Sequence, residues 1–445
     1  MKRFSARDGW FVLLFGAIYT VNFIDRMIIS VVGEPIRREF GLSDLQLGVM
    51  GGAAFALFYG GIGIPIARLA ERVSRIGIVA IATALWSAMT VLSGMAGSYA
   101  HLLLARMGVG VGEAGLTPPM VSIIADRFAP ERRATVYSLI TVGVSLGAAI
   151  GALGGGWIAQ AHGWRMAFLA MGAPGLLLAA LLWLTIPEPA LERARGDVPP
   201  LGEVLRRVWA SRAFVAFTAG SGMVALVGFG LSLFLIPLLV RRFGFDIRAA
   251  ALTFALALSA ATALGGAFGG MLADRIVTNR HARYGLLPMA STAFALPLFL
   301  AAIQQDDWRI LAILLFAATF CLYAFLPTIM TVTQRLVEPR MRATAAAIHA
   351  FGQTVFGLAV GSALLGWMSD YLAARAYGAG YKHDCLVVRD VIARPACDAA
   401  SGKGLQQALL LLGLFLLLAI ASFWSASRSI AGEIVDGDRD PRGAA

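Results

Sequence analysis

The sequence predicts an all-α membrane protein, with twelve transmembrane helices in two pseudo-symmetric six-helix bundles. Three observations predict it: a composition too apolar for water, about a dozen apolar runs of membrane-crossing length, and short motifs that recur in one order. The 445 residues are 58% hydrophobic and 14% charged, with mean hydropathy +0.75, outside the usage of soluble domains. Crossing roughly 30 Å of hydrocarbon takes about 20 apolar residues at about 1.5 Å rise each. Runs of that length bounded by charges fall near 10–32, 46–69, 76–97, 100–125, 135–160, 165–186, 213–240, 249–273, 284–304, 309–334, 343–374 and 404–427. The first is expected to stay in the mature chain. It is too long for a signal peptide, and no small-residue cleavage site precedes the charged Glu34-Pro35-Ile36-Arg37-Arg38 loop.

The net charge of +11 suggests nucleic acid until its distribution is read. The arginines gather in alternate loops: Arg68, Arg72 and Arg75, then Arg127, Arg132 and Arg133, then Arg193 to Arg207, then Arg275, Arg280 and Arg283, then Arg335, Arg340 and Arg342. The intervening loops are leaner, so the positive-inside bias places both termini and the 187–211 loop in the cytoplasm. Basicity here reports topology and excludes a nucleic-acid partner. Few Lys beside abundant Arg and Ala point to a bacterial plasma membrane as the location.

Of three cysteines, Cys321 falls within a span and reads as packing. Cys385 and Cys397 share the polar loop 377–403 on the non-cytoplasmic side, where a bridge between them would persist. A metal site on His383, Asp384 and Cys385 lacks a second ligand pair at zinc spacing. No metal and no cofactor is expected.

The chain repeats itself. Arg68-Leu69-Ala70-Glu71-Arg72-Val73 after span two matches Met271-Leu272-Ala273-Asp274-Arg275-Ile276 after span eight. Arg133-Ala134-Thr135 recurs as Arg342-Ala343-Thr344, and Gly156-Trp157 as Gly366-Trp367. The expected organisation is an N-terminal bundle, residues 1–186; a cytoplasmic linker, 187–212, with an amphipathic stretch at Leu201 to Trp209; a C-terminal bundle, 213–428; and a cytoplasmic tail, 429–445. Parallel repeats of this kind form two bundles that rock about a central site.

With these motifs the chain resembles the major facilitator superfamily over nearly its whole length. The repeated Leu-Ala-acid-Arg loop is similar to that family's cytoplasmic signature. Gly270-Met271-Leu272-Ala273-Asp274-Arg275 fits it well, whereas Ala67, Glu71 and Ser74 stand where the family usually has Gly, Asp and Gly. An acid at a helix end and a neighbouring Arg can latch one conformation, which makes Glu71, Arg72, Asp274 and Arg275 latch candidates.

Gly110-Val111-Gly112-Glu113-Ala114-Gly115 matches the dinucleotide fingerprint literally. That fingerprint needs a strand before it and a helix opening at it, whereas this stretch lies inside one apolar run from Ala100 to near Asp126. The glycines therefore read as close-packing residues, Pro118 and Pro119 as a kink, and Glu113 as a carboxylate inside a membrane helix. Formal charges well inside spans are Asp25 and Arg26 in the first and Arg106 and Glu113 in the fourth. Such charges cost on the order of 3 kcal/mol each on insertion scales and mark function. Helical rise puts Asp25 and Arg106 at similar depth, with Glu113 roughly 10 Å nearer the cytoplasm. Asn22, Asp25 and Arg26 share a face at i, i+3 and i+4, so two polar stripes are expected to face a common cavity.

Asn22-Phe23-Ile24-Asp25-Arg26, Phe40-Gly41-Leu42-Ser43-Asp44-Leu45-Gln46, Ala105 to Gly115 and Asp126 to Arg133 are similar to the spinster-type transporters, densely across residues 20–137 and thinly thereafter. That resemblance implies proton-linked transport of sphingolipid or lysophospholipid molecules, with Asp25, Arg26, Arg106 and Glu113 at functional positions. The chemistry leads independently to the same class: desolvation disfavours a charged carboxylate and an arginine favours it, so Asp25 and Glu113 can exchange protons while Arg26 or Arg106 takes an anionic headgroup. The second half offers Ser221, Thr319, Thr328, His349 and Gln353 among apolar residues, with His349 read as a packing histidine before a proton carrier. Pro237 and Pro327 are expected to bend helices seven and ten. The expected partners are a small amphipathic substrate, protons and the bilayer, with the chain a monomer. A proton-coupled exporter of drugs or organic anions is the alternative. Enzyme chemistry is excluded, since the five histidines are scattered without nucleophile or metal partners.

Overall fold

The computed structural model describes residues 5–70, 72–188, 200–276, 283–338, 341–388 and 393–434, and these are helical with short connections. Nine helices among the described residues are long and apolar enough to cross a membrane. Two of those nine hold more than one crossing or a break, and two further crossings are made of shorter paired helices, so the count is compatible with twelve.

Helix α1 (Ala6–Phe40) opens at Ser5, whose hydroxyl accepts the Asp8 N–H, and closes at Gly41, whose φ of 66° suits glycine. The Glu34-to-Arg38 segment, expected as a loop, is its last two turns. Glu34 holds Arg37 and Arg38 at i+3 and i+4, at 3.2 and 2.8 Å, and this pairing lets helix continue past Pro35 and the charges. Helix α2 (residues 44–69) starts with a capping box: Ser43 accepts the Gln46 N–H and Gln46 accepts the Ser43 N–H. A wide turn at Val49–Ala53 then loosens it. The same device recurs in the second half, at the offset of the sequence repeat: Gly244 has φ 69°, Asp246 caps by accepting the Ala249 N–H, and a wide turn follows at Ala255–Ala260.

Helix α3 spans Arg75–Gly94, α4 Tyr99–Glu113 and α5 Thr117–Arg127. The break between α4 and α5 falls at Ala114 to Leu116, and Pro118 and Pro119 sit in the first turn of α5, where a missing N–H costs nothing. Pro327 likewise sits at the start of a helix rather than inside one. The run Pro130–Thr185 is interrupted at Gly163, φ 84° and ψ 163°, giving α6 (residues 130–162) and α7 (residues 164–185). The amphipathic α8 (Leu201–Ala210) buries Val204 and Val208 and exposes Trp209. Then follow α9 (Arg212–Phe243, with Pro237 inside), α10 (residues 247–276), α11 (Arg283–Ile303), α12 (Trp308–Tyr323), α13 (Leu326–Arg335), α14 (residues 342–377), α15 (Arg394–Gly413) and α16 (Phe415–Glu433). The 377–403 segment, expected as a polar loop, holds a helical turn at Lys382–Val388 and the first turns of α15. Cys385 and Cys397 are bonded within it.

Packing divides the chain into two units: Met1–Arg193 with Leu231–Ala255 and Ser362–Ala408, and Ala194–Gly230 with Leu256–Gly361 and Leu409–Ala445. The core of the first is the α1–α6 contact. A Cβ added at Gly143, Gly147 or Gly151 would stand 2.4 Å from the Gly16 carbonyl oxygen, 2.3 Å from that of Thr20 and 2.9 Å from Met27 Cβ respectively. Small residues there bring the two backbones together, as membrane helices require. In the second unit α16 packs on α11 and α9 the same way, with Gly285 against Ser427 and Gly220 against Phe423.

Candidate functional site: buried charges of α1 and α4

The glycines of the fingerprint place the site. A Cβ on Gly110 would meet the Phe55 carbonyl oxygen at 2.7 Å, and one on Gly112 the Trp86 N at 2.7 Å. Helix α4 therefore lies directly against α2 and α3, and its two charged residues point into the first unit. Arg106 is 2% exposed, Glu113 1% and Asp25 0%. Arg26 keeps more contact with the surroundings, its side chain being 26% exposed. Three of the four charged groups are thus buried and Arg26 is partly exposed.

The four charges pair unevenly. Arg26 Nε donates to Glu113 Oε2 at 2.7 Å, while Glu113 Oε1 has no strict hydrogen-bond partner among the described residues. By strict hydrogen-bond geometry, and among the described residues, the oxygens of Asp25, Nε and Nη1 of Arg106 and Nδ2 of Asn22 lack a partner, although Thr90 lies beside Asp25 and Asn22 beside Glu113. Unpaired polar atoms this deep are expensive, so the arrangement is organised around something other than stability. The hydroxyl of Thr90, beside Asp25, and the Nε1 of Trp86, both on α3, are buried, and Trp86 Nε1 has no partner among the described residues.

Aromatic rings complete the site, and sequence reasoning did not find them. The guanidinium carbon of Arg26 lies 5.2 Å from the Phe23 ring centroid, 5.3 Å from Phe55 and 5.0 Å from Tyr59. Phe55 also carries Arg106, at 5.5 Å. Phe55 and Tyr59 stack at 5.5 Å, and their i, i+4 spacing on α2, beside a charged first helix, was the available signal. Tyr19 and Thr117 share a hydrogen bond of 3.1 Å between α1 and α5.

Other expected site residues lie elsewhere. In the second unit His349 is fully buried and its Nδ1 meets the Thr218 hydroxyl at 3.1 Å, while Thr328 is buried and Gln353 is half-buried. Glu71 and the side chains of Asp274 and Arg275 lie outside the described residues. Arg72 is exposed and, among the described residues, makes no ion pair. Ion pairing at that end of the first unit falls on Arg75, buried at the start of α3. It bonds Asp126, Ser122 at 2.9 Å and Glu188 at 3.2 Å. Glu188 also accepts from the Ser74 hydroxyl at 2.6 Å and the Ile76 N–H at 2.9 Å. Burial pushes the Glu188 carboxyl up, but these donors outweigh it and hold it below its ordinary value. No group of three or more His, Cys, Asp or Glu that could hold a metal ion occurs among the described residues.

The Major Facilitator Superfamily profile matches residues 15–362. An MFS-type efflux pump of Mycolicibacterium smegmatis is 34% identical over 374 residues, 83% of this chain and 86% of that protein. The sphingosine-1-phosphate transporter of Danio rerio is 25% identical over 386 residues, 81% of this chain and 75% of that one. The solved structure of a bacterial homolog to the human lysosomal transporter spinster, inward-facing and unoccupied, superposes with a TM-score of 0.89 at 32% identity, covering 98% of this chain and all of that one. The fold, the profile and these likenesses together place the chain in the Major Facilitator Superfamily as a spinster-type multi-pass membrane transporter, not an enzyme.

Proposed function

We propose that the protein is a proton-coupled secondary transporter working by alternating access, whose substrate is an amphipathic anionic or zwitterionic lipid-like molecule of the sphingolipid or lysophospholipid class. The observation that carries this reading is the uneven pairing of the four buried charges. Glu113 neutralises Arg26, whereas Nε and Nη1 of Arg106 have no hydrogen-bond partner among the described residues and no guanidinium is bonded to Asp25 there. A guanidinium so placed is suited to bind a phosphate or carboxylate headgroup in bidentate fashion. A proton on Glu113 removes the charge that holds Arg26, and the rings of Phe23, Phe55 and Tyr59 retain the cation while it turns toward a substrate anion. The Glu113 carboxylate and the headgroup then compete for the same guanidinium, and that exclusion makes headgroup binding depend on the proton. Asn22 lies one turn from Arg26 and is assigned to the same pair. Glu71, Arg72, Asp274 and Arg275 remain the proposed latch between conformations, and His349, Gln353 and Thr328 remain secondary proposed cavity residues of the second unit.

The proposed setting is a bacterial plasma membrane, with cytoplasmic termini, two six-helix halves joined by residues 187–212, and a monomer as the working form. The efflux pump of M. smegmatis supports the second reading, export of drugs or organic anions by the same proton chemistry. The deciding experiment is uptake into proteoliposomes of a lysolipid, sphingolipid, drug and sugar panel with and without an imposed pH gradient. The lipid-like molecules are expected to move uphill on the gradient, and Glu113→Gln and Asp25→Asn to abolish that coupling. Uphill transport retained by both variants would refute the scheme.

A further inference from the structure

A second polar cluster of the first unit lies at the Phe40 end of α1, away from the site above. Arg241, its side chain 0% exposed, donates from Nε to Glu34 at 2.8 Å, from Nη1 and Nη2 to Asp44 at 2.7 Å each, and from Nη1 to Ser401 at 2.9 Å. Glu34 also takes Arg37 and Arg38, Asp398 takes Arg38 at 3.4 Å, and Asp44 accepts from Ser369 at 2.6 Å. Three carboxylates thus have guanidinium partners. Asp370 on α14 has another kind: its Oδ1 accepts the Asp44 N–H and its Oδ2 the Leu45 N–H, each at 2.8 Å. These are first-turn donors of α2 that no carbonyl of its own helix can satisfy. An acid of α14 therefore fastens the head of α2. The backbones touch on either side of the fastening: a Cβ at Gly366 would stand 2.2 Å from the Asp44 carbonyl oxygen, and one at Gly48 2.2 Å from that of Ser362.

Glu34, Asp44 and Asp398 are bonded by Arg37, Arg38 and Arg241, whereas Asp370 is held by two backbone N–H groups and no guanidinium reaches it among the described residues. We infer that the Asp370 carboxyl is a second proton-binding site, separate from Asp25 and Glu113, where a proton arriving at the Phe40 end of α1 loosens α14 from the head of α2. The groups around it are Asp44 and Ser43 on and before α2, Arg241 on α9, Glu34 and Arg37 on α1, and Tyr381 beyond α14. A protonated carboxyl keeps one good acceptor oxygen and turns the other into a donor. At most one of the two N–H bonds then survives at full strength, and the repulsion of the Asp44 carboxylate disappears. The site needs no substrate, so it works as a proton-sensitive clasp whether or not Glu113 couples transport.

Hydrogen exchange of the Asp44 and Leu45 amides in the reconstituted full chain tests this, with protection corrected for the intrinsic pH dependence of exchange. Between pH 8 and pH 5 their protection is expected to fall by about tenfold or more, the loss of one charge-assisted bond. Asp370→Asn is expected to show low protection at both pH values, and Asp370→Glu, which keeps an acid, to retain the response. Wild-type protection equal at the two pH values would overturn the inference, and so would a pH response undiminished in Asp370→Asn.

Discussion

The guanidinium of Arg106 rests on the Phe55 ring, 5.5 Å from its centroid, and the same ring carries Arg26 at 5.3 Å. One buried aromatic thus sets the spacing of two cations that come from different helices. Such contacts are worth roughly 0.5–2 kcal/mol each when desolvated. Phe55→Leu, which keeps an apolar side chain, is expected to lower thermal stability slightly and to weaken binding of an anionic substrate by up to about tenfold, read by calorimetric titration. Unchanged affinity would remove Phe55 from the site.

Removing the arginine that Glu34 and Asp44 share leaves two acids buried without their strongest partner. Arg241→Ala is expected to destabilise the protein by about 3–5 kcal/mol, measured as loss of folded protein in detergent on heating. Arg241→Lys should recover little, because an ammonium cannot make the two parallel bonds to Asp44.

The α1–α6 contact depends on hydrogen in place of a side chain. Gly147→Ala puts a methyl 2.3 Å from the Thr20 carbonyl oxygen and is expected to cost about 1–3 kcal/mol. Gly9→Ala, where nothing lies within 4 Å, should leave the melting temperature unchanged or raise it.

Glu188 links the end of α7 to the start of α3, and its carboxyl is held below its ordinary value by donors. A depressed folded-state value means that this stabilisation is fully present above the unfolded value of about 4.3 and is lost as pH falls through the folded one. Wild type is therefore expected to melt higher than Glu188→Gln at pH 7, and the gap to close as pH drops below about 4. A gap that does not narrow between pH 7 and pH 3 would contradict the linkage.

The twelve spans, their repeat and the four intramembrane charges were all legible in one dimension, because the bilayer imposes length and polarity on each segment separately. The glycines of 108–115 were also readable, since no strand precedes them. Pairing was not. Nothing in the spacing distinguishes Arg26 from Arg106 as the partner of Glu113, and the choice rests on how close Gly110 and Gly112 bring α4 to Phe55 and Trp86. The same limit applies to Arg241, which lies buried between Glu34 and Asp44. Its burial comes from contacts between residues some two hundred positions apart, and only packing in three dimensions assigns such partners.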